Sequence, residues 1–180
     1  MEKTIFAGFG GQGIISLGQI WAYCGMEEGK QVSFFPFYGA EKRGGIARAN
    51  CVVSETPIAS PVISRADSAV VMNRDSLDVC VSTLKDGALM LVNSSLVPLS
   101  ELPKAVLERF RVVPVAATEI ADRMGNVRVA NMVMLGALAK KTGAVLLNRL
   151  DEVLTHFFPG AKRKLIPLNV EAVKAGMESC

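Results

Sequence analysis

Residues 4–13 read Thr-Ile-Phe-Ala-Gly-Phe-Gly-Gly-Gln-Gly. A short apolar run ends in a glycine-rich turn, and an amphipathic stretch over 14–28 follows at once. The order is strand, phosphate-type turn, helix, and the rest of the chain has to fit around it. Gly8, Gly10 and Gly13 match the G-x-G-x-x-G spacing. Glycine at such points admits positive φ. It also lets a ligand approach the N–H groups that open the helix, where the dipole favours anions. A tight βα turn whose glycines serve packing alone has the same pattern. A P-loop is excluded, because no Gly-Lys-Ser/Thr follows.

A dinucleotide site needs a second half. An acid should end the second strand, about 20 residues on, to hold the ribose hydroxyls. Here the second strand, over 31–35, reads Gln-Val-Ser-Phe-Phe and is ended by Pro36. The nearest carboxylate, Glu41, lies beyond that proline. The NAD reading therefore loses its partner, while an anion site at Gly10, Gly11, Gln12 and Gly13 survives.

Alternation of strands and helices continues to the C-terminus. Strands are expected over 48–53, 69–72, 88–92 and 111–115. Helices are expected over 74–84, 100–109, 116–124, 130–142, 148–158 and 169–177. Asn73 is placed to cap the first of these, and Asp86-Gly87 reads as a turn. The stretch 130–142 is apolar nearly all round, so it is buried in a core or at a subunit contact. The expected fold is a single α/β domain over 1–180. It is a three-layer sandwich with a largely parallel sheet, helices on both faces and a Rossmann-like first βα turn.

The loop after the second strand is the other dense stretch: Phe37-Tyr38-Gly39-Ala40-Glu41-Lys42-Arg43-Gly44-Gly45. Its glycines let backbone bend close to a neighbour. Glu41 and Arg43 offer opposite charges, and Tyr38 a hydroxyl. An exposed salt bridge is the plainer use of that acid and base, and it contributes little. In an open α/β sheet the loop lies at the strand's carboxyl end, along the same edge as the first turn, where ligands bind.

Composition narrows the function classes. The 20 basic and 17 acidic residues give a net charge of +3, too mild to argue for nucleic acid or an anionic membrane. Lys162-Arg163-Lys164 is read as a solvated surface run. No apolar run reaches the ~18 residues of a membrane span, and the N-terminus shows no signal-peptide pattern, so a cytoplasmic location is expected. Cys24, Cys51, Cys80 and Cys180 lack the close spacing of a cluster or zinc site. The single histidine, His156, leaves Ser–His–Asp catalysis poorly supported.

Taken together, the motifs resemble a family. The Gly-Phe-Gly-Gly-Gln-Gly-Ile turn, the loop over 38–45, the segment over 54–61 and the Asn131-Met-Val-Met-Leu-Gly-Ala137 helix look like the gamma subunit of 2-oxoacid:ferredoxin oxidoreductases, the pyruvate/ketoisovalerate oxidoreductase catalytic domain family. The resemblance covers essentially the whole chain. Lys42 departs from the methionine or alanine more usual there. The resemblance implies a subunit that is inactive alone. It also implies oxidative decarboxylation of a 2-oxoacid with coenzyme A, giving acyl-CoA, carbon dioxide and reduced ferredoxin. Thiamine diphosphate, Mg and iron–sulfur clusters would sit on alpha, beta and delta chains, and none on this one. A gamma–gamma contact is a further implied partner. 2-Oxoglutarate or a branched-chain 2-oxoacid is the favoured substrate. Gly10, Gly11, Gln12, Gly13, Tyr38, Glu41, Lys42, Arg43, Gly44 and Gly45 form the face expected to meet coenzyme A or a partner chain. A stand-alone nucleotide-binding protein and a purely structural interaction subunit are the alternatives.

Overall fold

A computed structural model describes residues 1–38 and 45–180; of Tyr38 only the backbone is described. Glu41, Lys42, Arg43 and Gly44 therefore lie outside the described residues. The strands are β1 (Glu2–Phe9), β2 (Gln31–Tyr38), β3 (Ile46–Ser54), β4 (Ala66–Val71), β5 (Leu84–Asn93) and β6 (Arg111–Val115). The helices are α1 (Ile14–Glu27), α2 (Leu77–Thr83), α3 (Lys104–Arg109), α4 (Ala117–Arg123), α5 (Ala130–Thr142), α6 (Leu150–Phe157) and α7 (Ile166–Glu178).

The strands form one sheet in the order β2-β3-β1-β4-β5-β6. β1, β4, β5 and β6 pair in parallel, and β3 alone is reversed. The expectation of a largely parallel sheet with helices on both faces holds. On β1, Phe6 points into one core, shared with α1 and α4–α7, while Ile5 and Ala7 point into the other, shared with α2 and α3. That is the two-residue period of a strand covered on both sides.

Several boundaries differ from expectation, and two of them have a reason in the sheet. β2 does not stop at Pro36 but runs on to Tyr38. It is an edge strand, so proline's missing N–H can face outward at no cost to the ladder. Asp86-Gly87 does not separate two elements either. β5 begins at Leu84 and carries Gly87 at φ +73 within an irregular stretch opposite Ala66 and Ser68. Bulged residues fit there because the register slips.

Small residues set the helix approaches. On α1, a Cβ at Gly18 would meet Phe34 at 2.8 Å, and one at Gly25 would meet Val32 and Val53 at 3.2 Å, so α1 lies hard against β2 and β3. α5 is buried continuously from Ala130 to Ala139. It lies against α7, where backbone meets backbone at Gly136 and Gly176. Its apolar surface is therefore used within the chain, and a partner-facing role for this helix is not needed to explain its composition.

Candidate functional site

The first turn is built by glycine and locked by amides. After β1, residues 10–12 form one turn of 3-10 helix, and Gly13 takes a left-handed conformation, φ +70, before α1 begins. Gln12 folds its side chain back into the turn. Its Oε1 accepts from the Phe9 N–H at 2.8 Å and from Asn73 Nδ2 at 2.9 Å, while its Nε2 donates to the Met72 carbonyl at 3.3 Å. A Cβ at Gly8 would sit 2.7 Å from that Oε1, so glycine leaves the room Gln12 needs. Gln12 therefore holds the turn to the end of β4. Its polar side-chain atoms are used within the chain, and the residue also lines the smaller cavity at this edge.

A second amide holds the other side. Asn131, in the first turn of α5 and 8% exposed, donates from Nδ2 to the Gly13 carbonyl at 3.3 Å. A Cβ at Gly13 would lie 2.5 Å from that nitrogen. The polar line continues along the sheet edge. Asn73 Oδ1 accepts from the Ser76 N–H at 3.0 Å, as the expected cap. Asn93, fully buried, donates to Thr118 Oγ1 at 2.9 Å and accepts from its N–H at 3.3 Å.

Chain topology explains why space opens here. β1 and β4 are parallel neighbours, yet β1 leads to α1 on one face and β4 to α2 on the other. Where successive connections leave in opposite directions a crevice forms beyond the strand ends, and ligands of open α/β sheets bind in such crevices. A cavity of about 220 Å³ lies there beside Gln12 and Met72, and a larger one of about 440 Å³ extends from Gly11 and Gly13 along Ser16 and Ile20 of α1 to Phe157, Phe158 and Asn169; Gly11, Arg128 and Asn131 line both. Lys162 lines the larger one, so that basic run is not wholly a solvated face. Gly10 and Gly11 are exposed, and a Cβ on either would meet nothing within 4 Å. Among the described residues, no aspartate or glutamate lines either cavity. Two cations, open turn backbone and no acid make a crevice suited to an anion.

The second loop begins and ends on the same edge. Tyr38 pairs with Ala47, Ala47 pairs with Gly8, and Ile46, next to Gly45, pairs with Phe9. At ~4.8 Å per strand, the loop leaves the sheet about 10 Å from the first turn. The same pairing removes the dinucleotide geometry. β3, running backwards, separates β2 from β1, so no acid at the end of β2 would stand beside the turn as in a Rossmann unit.

Other candidate groups are structural. His156 Nδ1 lies 3.0 Å from the Glu152 carbonyl of its own helix. Burial pushes the thiols of Cys24, Cys51 and Cys80 up to about 12. These stay protonated near neutrality and are poor nucleophiles and ligands. At about pH 8, iodoacetamide is expected to modify the partly exposed Cys180 and to reach the other three only after unfolding, which mass spectrometry of native and denatured chains will read. Among the described residues, no helix is long and apolar enough to cross a membrane.

Fold and edge define the class: an open α/β sheet protein with a cation-lined crevice at its topological switch point that no acid lines among the described residues. The sequence profile of the family "Pyruvate ferredoxin/flavodoxin oxidoreductase" matches residues 3–179, and the chain belongs to this family. It is 36% identical to the ketoisovalerate oxidoreductase subunit VorA of Methanothermobacter thermautotrophicus over 98% of its length, but spans only 36% of that protein. It is 35% identical to the common gamma subunit of the pyruvate/ketoisovalerate oxidoreductases of Thermococcus kodakarensis, covering 89% of each chain. It also superposes with TM-score 0.83 and 27% identity on a chain of the 2-oxoglutarate:ferredoxin oxidoreductase of Magnetococcus marinus, solved with 2-oxoglutarate, coenzyme A and succinyl-CoA bound. That match covers 99% of this chain and 31% of the other.

Sequence reasoning found the turn, passed over Arg128 and read Lys162 only as part of a solvated run. It met Asn131 only as part of the helix motif. A signal was available, since Asn131 is the one amide in the otherwise apolar opening of that helix.

Proposed function

We propose that this chain is the gamma subunit of a multi-subunit 2-oxoacid:ferredoxin oxidoreductase. It supports the conversion of a 2-oxoacid and coenzyme A to acyl-CoA, carbon dioxide and reduced ferredoxin. The observation that carries this reading is the crevice at Gly11–Gly13, with Arg128 and Lys162 beside it and no acid lining it among the described residues. Coenzyme A brings phosphates, which such a crevice attracts. The second loop, with Lys42 and Arg43, leaves the sheet on the same edge and would add further cations. The coenzyme A bound in the Magnetococcus marinus enzyme supports the same assignment.

The electron-carrying groups do not fit this chain. Among the described residues, no three His, Cys, Asp or Glu side chains group as a metal site. Three of the four thiols are buried and held protonated. On this reading thiamine diphosphate, Mg and the iron–sulfur clusters belong to alpha, beta and delta chains in the cytoplasm. This chain's part is to bind and orient. A gamma subunit common to pyruvate and ketoisovalerate enzymes in Thermococcus kodakarensis supports substrate selection by the other chains. 2-Oxoglutarate or a branched-chain 2-oxoacid remains the favoured substrate.

Reconstitution tests the assignment. The complex assembled with this chain is expected to reduce a viologen acceptor with a 2-oxoacid and coenzyme A. The chain alone should show no turnover, and the complex without it should lose coenzyme-A-dependent turnover. Activity in the isolated chain, or full activity without it, would remove the proposal.

A further inference from the structure

Among the described residues, no helix lies over the β2 edge of one sheet face. α1 covers one side of β2 and β3, where Val32 and Phe34 pack. On the other side, α2 and α3 pack over β1, β4 and β5. The alternate residues of β2 are left bare: Phe35 is 50% exposed and Phe37 41%. They are the only exposed phenylalanines among the described residues. Their rings touch, with centroids 4.8 Å apart. Directly across on β3, Asn50 pairs with Phe35 and Arg48 with Phe37. The Arg48 guanidinium lies 5.1 Å over the Phe37 ring, and its Nε donates to Asn50 Oδ1 at 2.9 Å. Among the described residues, no carboxylate pairs with Arg48.

The parallel strands of this sheet are covered on both faces, whereas an antiparallel edge such as β2–β3 can leave one face to solvent, so the signal here is the composition of the bare face. Aromatic rings and arginine at the centre of a bare patch are the composition of an interface core rather than of a free surface. The occupant is indicated by the relatives. This domain makes up 36% of the VorA chain and 31% of the Magnetococcus marinus chain. In those proteins it is covalently joined to a much larger body, and such permanent neighbours use large apolar contacts. The patch also lies near the proposed site, because β2 ends at Tyr38, two strands from Gly8 at the start of the first turn.

We propose that the ledge formed by Phe35, Phe37, Arg48 and Asn50 docks the larger chain of the oxidoreductase through an apolar surface that sets a carboxylate against Arg48. The proposal rests on the functional reading above. Arg48 is already held in place by Phe37 and Asn50, so little side-chain freedom is lost when it pairs. Among the described residues its two terminal nitrogens make no hydrogen bond, which leaves them for a bidentate contact.

The test is assembly of the co-expressed complex. The wild-type chain should co-purify with its larger partner chain. Phe35→Ser/Phe37→Ser should weaken that association at least about thirtyfold, the scale of interface hot spots. Arg48→Glu should do the same, and Arg48→Lys should recover part of the loss. Oxidative footprinting of the wild-type chain provides a readout independent of folding: Phe35 and Phe37 should be labelled when free and protected in the complex. Unchanged footprints, or variants that assemble as tightly as wild type, would overturn the ledge and leave the functional reading standing. A wild-type chain that never joins the larger chain would remove both. If the wild-type chain self-associates through these residues and the serine variant is monomeric, the occupant is a second copy and the proposal is wrong.

Discussion

Gly136→Ala is expected to lower stability by about 3 kcal/mol, at the upper end for overpacking a core. Two effects oppose each other at this position. In an isolated helix, alanine is favoured over glycine by about 1 kcal/mol. In the folded chain, a Cβ at Gly136 would lie 1.9 Å from the Val173 carbonyl oxygen and 3.0 Å from the Met177 nitrogen. These are backbone atoms of another helix, which cannot rotate out of the way as a side chain can. α5 and α7 would have to separate, and the buried row Met132–Ala139 would lose contact along its length. The clash outweighs the propensity gain. At 2–4 °C per kcal/mol, the thermal midpoint should fall by roughly 6–12 °C. Gly176→Ala should cost a similar amount, because its Cβ would meet the Val133 carbonyl oxygen at 1.9 Å. The double variant should cost clearly less than the sum, since one separation of the helices relieves both clashes. Urea unfolding of the four proteins measures all of this. A loss below about 0.5 kcal/mol for Gly136→Ala would contradict the close crossing.

Those glycines also show where sequence reading stops. The helix over 130–142 was legible from its apolar run, and Gly136 marks close approach by something. Nothing local says that the something is Gly176, forty residues on, rather than another subunit. The β1–turn–α1 unit was legible because all its determinants lie within about 25 residues of each other. Pro36 misled because its effect on a strand depends on whether that strand is central or at an edge, which is a property of the sheet. The reversal of β3 follows from pairing order, which strand periodicity does not encode. At the site, the glycine spacing was readable. The fate of Gln12 was not, since its partners Met72 and Asn73 arrive from the next parallel strand. Asn131 reaches Gly13 across 118 residues, and Arg128 comes with it. The sequence drew attention to the loop charges, Glu41 as well as Lys42 and Arg43, while the nearer cations are supplied by tertiary folding.

Arg128→Glu should therefore have the largest functional effect of any single change at this edge. Arg128 lines both cavities beside Gly11, sits in an exposed turn before α5, and forms no ion pair among the described residues. Removing it takes nothing from the core, so folding and assembly should be unaffected. A charge-assisted hydrogen bond to a phosphate contributes about 1.5–3 kcal/mol, or roughly 10–100-fold in affinity. Reversing the charge adds repulsion to that loss. The KM for coenzyme A in the assembled enzyme should rise by about 100-fold or more. The KM for the 2-oxoacid and the turnover at saturating coenzyme A should stay near wild type, because binding is lost equally from ground and transition states. Arg128→Lys should recover part of the loss, limited by the missing fork geometry. Arg43→Ala should give a smaller rise if the loop adds its cation to the same phosphates. In the wild type, raising ionic strength should increase the coenzyme A KM, and in Arg128→Glu it should do so less or not at all, as screening of an attractive charge requires. A coenzyme A KM unchanged by Arg128→Glu, with turnover intact, would take the phosphates out of this crevice. It would leave the glycine turn, with Gln12 and Asn131 on either side, as a device for closing the sheet edge.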